Sequence, residues 1–202
     1  RIQTAIGVVE LKLYPDAAPR TVGNFAALAR SGFYDGQIFH RVLPGFAVQT
    51  GDPTGKGGGG PGYCFPDEFG AGLVHDRAGI VTMVNTAPGS NGSQFMIMLA
   101  AAPMLDGRNP VFGEVTAGMD VARQVVAGTK IEKIEIVGDA VLPLPDKMPE
   151  LTLAELKARA KGAVERVLTG LGETMGLGAL KAFEVDSARS RCEESQLTVS
   201  AE

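Results

Sequence analysis

The run Phe39-His40-Arg41-Val42-Leu43-Pro44-Gly45-Phe46-Ala47-Val48-Gln49 decides how the fold of this chain is read. It sets one arginine among apolar residues, ahead of a phenylalanine and a glutamine. As a strand and turn within a sheet, it lines one shallow pocket with an obligate cation and an aromatic face. Taken alone, such an arginine reads as a strand residue whose head reaches solvent along its own stem. A second run, Asn91-Gly92-Ser93-Gln94-Phe95-Met96, lies further along the chain and adds a polar turn entering an apolar strand.

Working outward, residues 7–14 (GVVELKLY) alternate with the period of a half-buried strand, placing Val9, Leu11 and Leu13 on one face. Pro15-Asp16 marks a turn, and Pro19 suits a first helical turn. Val22, Phe25, Leu28 and Ala29 follow at helical spacing, with Gly32 as the stop. Strands are expected at residues 38–39, 46–49, 80–85, 94–98, 111–115 and 130–137, and a second helix at 119–126. Many short strands with only two helices argue for a mainly antiparallel, closed sheet. Residues 51–62 form a glycine-rich loop whose expected role is flexibility.

Bulk properties exclude several classes. The 202 residues carry a formal charge of −4, which offers no electrostatic footprint for nucleic acid or an anionic membrane. No apolar run approaches the ~20 residues of a membrane helix, so the chain reads as soluble. Cys64 and Cys192 are too few for a disulfide framework, and His40 and His75 alone make no metal cluster. No metal or cofactor is expected. The start at Arg1 reads as a processing site or a boundary with no leader remaining, so the destination stays hidden: an organelle (mitochondrion or plastid) and a bacterial cytoplasm both fit. The stretch Gly51-Asp52-Pro53-Thr54-Gly55-Lys56 fails the phosphate-loop spacing, and Ser93 lacks a nucleophile elbow. His75 and Asp76 read as exposed turn residues, and His40 as a hydrogen-bonding support for its neighbours.

The two runs, with the segments between Gly7 and Val137 in matching order, resemble the cyclophilin family of peptidyl-prolyl cis-trans isomerases. The resemblance implies a closed antiparallel eight-stranded β-barrel capped by two α-helices. It implies an isomerase of Xaa-Pro bonds in peptides and unfolded proteins, assisting their folding. Arg41 would be the catalytic donor. Phe46 would wall the proline pocket, Gln49 would orient Arg41 and bond a substrate carbonyl, and Asn85 would give main-chain hydrogen bonds to the extended peptide beside Val84 and Gln94. Met96, Met104, Leu105 and Asn109 would complete the substrate-binding set. Four positions depart from the family pattern. Met96 replaces a second phenylalanine, Met104 a tryptophan of many eukaryotic members, Asn109 a histidine and Ala47 a frequent methionine. Because the tryptophan supports cyclosporin binding in the family, weak cyclosporin binding is expected here.

The domain reading is an isomerase domain at 1–139, a Pro-rich linker at 140–150, and a C-terminal helical extension and tail at 151–202. Thr152-Leu153-Ala154-Glu155 has the form of a capping box, and an apolar stripe from Leu153 to Leu171 follows it at helical spacing. No standard member of the family needs this extension. The alternative function is therefore a cyclophilin-fold structural or accessory subunit, anchored in a larger assembly through residues 151–202.

Overall fold

The computed structural model of the chain describes residues 1–138, 142–145 and 148–149. The helical extension, its capping box and its apolar stripe lie outside the described residues.

Eight strands make one antiparallel sheet. β1 (Ile2–Thr4) and β2 (Gly7–Leu13) form a hairpin pinned by Thr4, whose hydroxyl donates to the Gly7 carbonyl at 2.7 Å. Helix α1 (Pro19–Arg30) follows, then β3 (Arg41–Leu43), β4 (Ala47–Thr50) and a short β5 (Tyr63–Cys64). β6 (Ile80–Met83), β7 (Phe95–Met98) and β8 (Val111–Ala117) precede helix α2 (Met119–Gln124) and β9 (Ile131–Ile134). The order across the large sheet is β3-β4-β7-β6-β8-β2-β1-β9, and β5 pairs separately with β10 (Met148–Pro149). The strand expected at 38–39 is instead a bridge between Ile38 and Lys130. Around it, main-chain bonds join residues 36–39 to 128–131: Phe39 N–H donates to the Thr129 carbonyl and Ile131 N–H to that of Gln37. The sheet therefore curls until the segments entering its two edge strands meet.

Strand β7 is buried along its whole length because the sheet carries apolar material on both faces. Phe95 and Ile97 join the main core with Phe25, Val48, Val81 and Phe112, while Met96 and Met98 join Ala47, Ile80 and Val111 on the opposite side. Successive residues of a strand point to opposite faces, so one strand supplies both clusters. Phe25 from α1 meets Phe95 edge-on at 5.3 Å, and Tyr34 meets Phe95 edge-on at 5.7 Å. Such edge-on contacts add roughly 0.5–1.5 kcal/mol each beyond burial.

Helix α1 starts at Pro19, as expected, yet Ala18 gives it no side-chain cap. The orphan N–H groups of Arg20 and Thr21 are satisfied by the Glu68 carboxylate from a distant loop (3.3 and 2.9 Å). The chain returns over this helix. Leu142 packs against the core, Pro145 is buried, and a Cβ on Gly23 would fall 2.2 Å from the Pro143 carbonyl oxygen. A glycine inside a helix, which costs about 1 kcal/mol relative to alanine, is here the condition for that crossing. The described part of the Pro-rich segment thus lies on the domain. Among the described residues, no helix is long and apolar enough to cross a membrane.

Candidate active site

The β3–β4 turn and its neighbours build the site from register. Arg41 lies directly opposite Gln49, Gln49 opposite Met96, and Met96 opposite Thr82. Opposed residues on antiparallel strands share a face, so these side chains form one row across four strands. Arg41, the first residue of β3, is exposed, and its guanidinium makes no hydrogen bond or ion pair among the described residues. Gln49 is buried.

Beside that row lies the apolar cluster. Phe46, Val84 and Leu105 pack as partly buried residues against Met96, Met98 and Ala47. The four expected pocket residues Phe46, Val84, Met96 and Leu105 are therefore together, with Met96 only 8% exposed. Met104 is not with them: it is 61% exposed. In the 3-10 helix Pro103–Leu105 neighbouring side chains diverge, and Leu105 is the one turned to the cluster.

Asn85 and Asn109 tie the rim together. The Asn85 side-chain amide donates to Asp67 and to the Arg108 carbonyl, both at 2.9 Å. Its own main-chain N–H and carbonyl find no protein partner among the described residues. Asn109 donates to the Met83 carbonyl at 3.0 Å, joining the segment after Leu105 to the end of β6. Asp67 also accepts from Asn91 (2.8 Å) and from the Gly89 N–H (2.8 Å), fixing the 85–91 turn.

Gln94 connects the row to the glycine-rich loop. Its amide nitrogen donates to the Gly57 and Gly59 carbonyls (2.9 and 2.8 Å), and its oxygen accepts from the Gln49 amide at 2.8 Å. The loop is itself held by Asp52, which accepts from the Thr54 N–H and hydroxyl (2.7 and 2.8 Å) and from the Gly57 N–H. Beyond the expected flexibility, the part of the loop from Asp52 to Gly59 is organised by a buried carboxylate, and Gly51-Asp52-Pro53-Thr54 is the sequence signature of the Asx turn that does it.

Both histidines also depart from expectation. The two ring nitrogens of His40 are buried without a hydrogen-bond partner. Burial holds its pKa below the ordinary value, and the neighbouring Arg41 charge adds to this against the pull of Asp52. The nearby Gln94 side chain acts in the same sense as Asp52, raising the value, and neither outweighs burial. His75, expected to be exposed, is 1% exposed, with Nδ1 at 2.7 Å from Asp106 and its N–H donating to the same oxygen at 2.8 Å. Ala102 N–H donates to the His75 carbonyl, so His75 anchors both ends of the turn that presents Leu105. A lone histidine between Val74 and Asp76 gives no sequence signal of this, because its partner is remote.

The family model described as cyclophilin type peptidyl-prolyl cis-trans isomerase/CLD matches residues 1–141. The chain is 47% identical over 127 residues to the peptidyl-prolyl cis-trans isomerase ppi1 of Schizosaccharomyces pombe, covering 61% of this chain and 82% of that one. It is 45% identical over 145 residues to the peptidyl-prolyl cis-trans isomerase-like 1 of Gibberella zeae, covering 67% and 90%. Among solved structures, a cyclophilin type peptidyl-prolyl cis-trans isomerase of Cryptosporidium parvum, crystallised in the presence of the dipeptide Ala-Pro, matches with TM-score 0.64 and 34% identity over 69% of this chain and 98% of that one. With the curled sheet, two helices and an arginine beside an apolar pocket already in place, these matches make this chain a member of the cyclophilin-type peptidyl-prolyl cis-trans isomerase family.

Proposed function

We propose that Arg41 catalyses isomerisation of Xaa-Pro bonds by donating to the prolyl nitrogen as the amide twists. The planar amide is protected by resonance, with a barrier of roughly 18–20 kcal/mol, and unaided exchange takes ~10–100 s. Twisting returns the lone pair to nitrogen. A fixed, permanently charged donor at that atom stabilises the twisted state over the planar one, which is what lowers the barrier. No proton is transferred and no covalent bond is formed, so neither nucleophile nor cofactor has a part in this route.

In this reading, the proline ring sits against Phe46, Met96 and Leu105, with Val84 at the edge. Gln49 orients Arg41 and meets a substrate carbonyl. Asn85 offers its main chain to the extended peptide, while Gln94 and Asn109 hold the rim. Met104, exposed on the turn, contributes apolar surface at the mouth. The observation that carries the proposal is that an unpaired guanidinium shares one face with that cluster. Exchange spectroscopy on a Xaa-Pro peptide, with Arg41→Ala as the comparison, tests it: an unchanged rate in the variant would overturn it.

The finer architecture follows the same reading. The main-chain bonds between 36–39 and 128–131 support closure of the eight strands into a barrel, within an isomerase domain at 1–139 followed by the 140–150 linker. Weak cyclosporin binding follows from methionine at position 104, which has no indole N–H, and Met104→Trp should strengthen it in a direct titration. The sequence of residues 151–202 supports a docking role toward a larger assembly. Recovery of the same partners from native extract by full-length and tail-deleted protein would argue against that role.

A further inference from the structure

We infer that Asp52 is a positioning residue for the isomerase reaction: acting through the glycine loop and Gln94, it sets which end of the Gln49 amide faces Arg41. The inference rests on Arg41 being the catalytic donor.

Asp52 is 1% exposed, and a buried carboxylate persists only where several donors reach it. Burial on its own would raise its pKa, but hydrogen bonds from the Thr54 N–H and hydroxyl and from the Gly59 and Gly57 N–H groups outweigh it, so Asp52 is held as the anion. His40 and, behind it, Arg41 are the charged or titratable side chains that share this corner. The packing around the carboxylate is tight. A Cβ on Gly59 would fall 2.2 Å from the Asp52 Oδ1 and 2.8 Å from the Thr54 Cγ2, so only glycine lets the loop close over the carboxylate.

Two of the residues whose N–H groups serve Asp52 also turn their carbonyls to the site. Gly57 and Gly59 both turn their carbonyl oxygens to the Gln94 amide nitrogen. Two acceptors there dictate the amide's orientation: nitrogen to the loop, oxygen toward Gln49. That oxygen in turn requires the Gln49 nitrogen, at 2.8 Å. The Gln49 oxygen is then left uncommitted, opposite Arg41 in the ladder. A guanidinium has only donors, so it needs that oxygen and is repelled by an amide nitrogen. Were the loop released, both glutamines could invert and present a donor to a donor.

The experiment is a double-mutant cycle on the full-length protein, reading kcat and KM on a Xaa-Pro peptide. Asp52→Asn and, as a variant that displaces the carboxylate without deleting it, Gly59→Ala are each made in the wild-type and Gln49→Ala backgrounds. Each should lower kcat/KM about tenfold in the wild type, mainly through kcat, and less than twofold where Gln49 is already absent. The side-chain amide resonances of Gln49 and Gln94 should shift together in both single variants. If Asp52→Asn does not fold, Gly59→Ala carries the same comparison. Equal losses in the two backgrounds, or no loss in either, overturn the relay. Arg41→Ala, run alongside, separates the two levels: full activity there defeats the assignment of Arg41, whereas an inactive Arg41→Ala with additive Asp52 and Gln49 effects defeats only the relay.

Discussion

Gln49 stands directly opposite Arg41 in the β3–β4 ladder while its amide nitrogen is committed to Gln94 at 2.8 Å. The two residues therefore differ in how they are held. The Gln49 side chain is buried and fixed from behind, whereas the Arg41 guanidinium is exposed and makes no protein hydrogen bond among the described residues. A pre-set acceptor beside an uncommitted donor is an arrangement suited to a ligand that supplies the missing partner.

That asymmetry predicts a clean separation of activity from stability at Arg41. Arg41→Ala should lower kcat/KM by about 10²–10³-fold, the usual cost of removing one pre-organised donor. Its unfolding free energy should stay within about 0.5 kcal/mol of wild type, as for surface positions without partners. Arg41→Lys keeps the charge but loses the planar fork, and should fall between the two. Exchange spectroscopy and urea denaturation on the same samples check both halves.

Met96 should behave in the opposite way. It is nearly buried within the site-facing cluster and forms part of the pocket that Phe46 and Leu105 share. Met96→Ala opens a cavity, at a cost of about 2–3 kcal/mol of stability. In the proposed role that wall would contact the proline ring in ground and transition states alike, so KM should rise more than kcat falls. Steady-state kinetics and denaturant midpoints distinguish this from a purely structural loss.

Much of this arrangement was readable in residue order because it is local. The alternation from Phe95 to Met96 places one in the core and the other in the pocket, and the run from Arg41 to Gln49 is short enough for its turn to set the register. What was not readable depends on partners remote in sequence. Glu68 caps α1, Asp106 meets His75, and Gln94 meets the Gly57 and Gly59 carbonyls, in each case between segments far apart in the chain. His40 was misread for the converse reason: its neighbours exclude water from the ring without offering it a hydrogen bond. Residue order also does not tell which of Met104 and Leu105 meets the cluster, because three residues of 3-10 helix do not follow the periodicity of either a strand or an α-helix.

His40 makes the domain sensitive to acid with a definite sign. Its folded pKa lies below the ordinary value, chiefly through burial, so the unfolded chain binds the proton more readily. Its contribution is therefore neutral above about pH 6.5. It becomes destabilising as pH falls below that value toward the folded pKa. Asp52, whose pKa is also lowered, contributes stability above the ordinary carboxylate range that is lost only in stronger acid. A melting-temperature profile should decline in two separate pH windows, and His40→Phe should remove the upper one. Because the Arg41 charge helps to depress His40, Arg41→Ala should raise the His40 titration midpoint followed by NMR; a midpoint that falls would contradict the assigned coupling.

The crossing at Gly23 gives a prediction whose sign reverses with chain length. By helix propensity alone, Gly23→Ala would stabilise α1 by about 1 kcal/mol. In the full-length protein the new Cβ would meet the Pro143 carbonyl oxygen at 2.2 Å and the Leu142 Cβ at 3.4 Å. A backbone oxygen cannot rotate aside as a side chain does, so residues 142–145 must lift from the helix and carry Leu142 out of its packing. Full-length Gly23→Ala should therefore melt lower than its parent and show faster amide exchange in α1. In a chain ending at residue 141, where nothing crosses the helix, the same substitution should raise the melting temperature. The same sign of change in both chains would mean that the return segment does not determine the glycine at position 23.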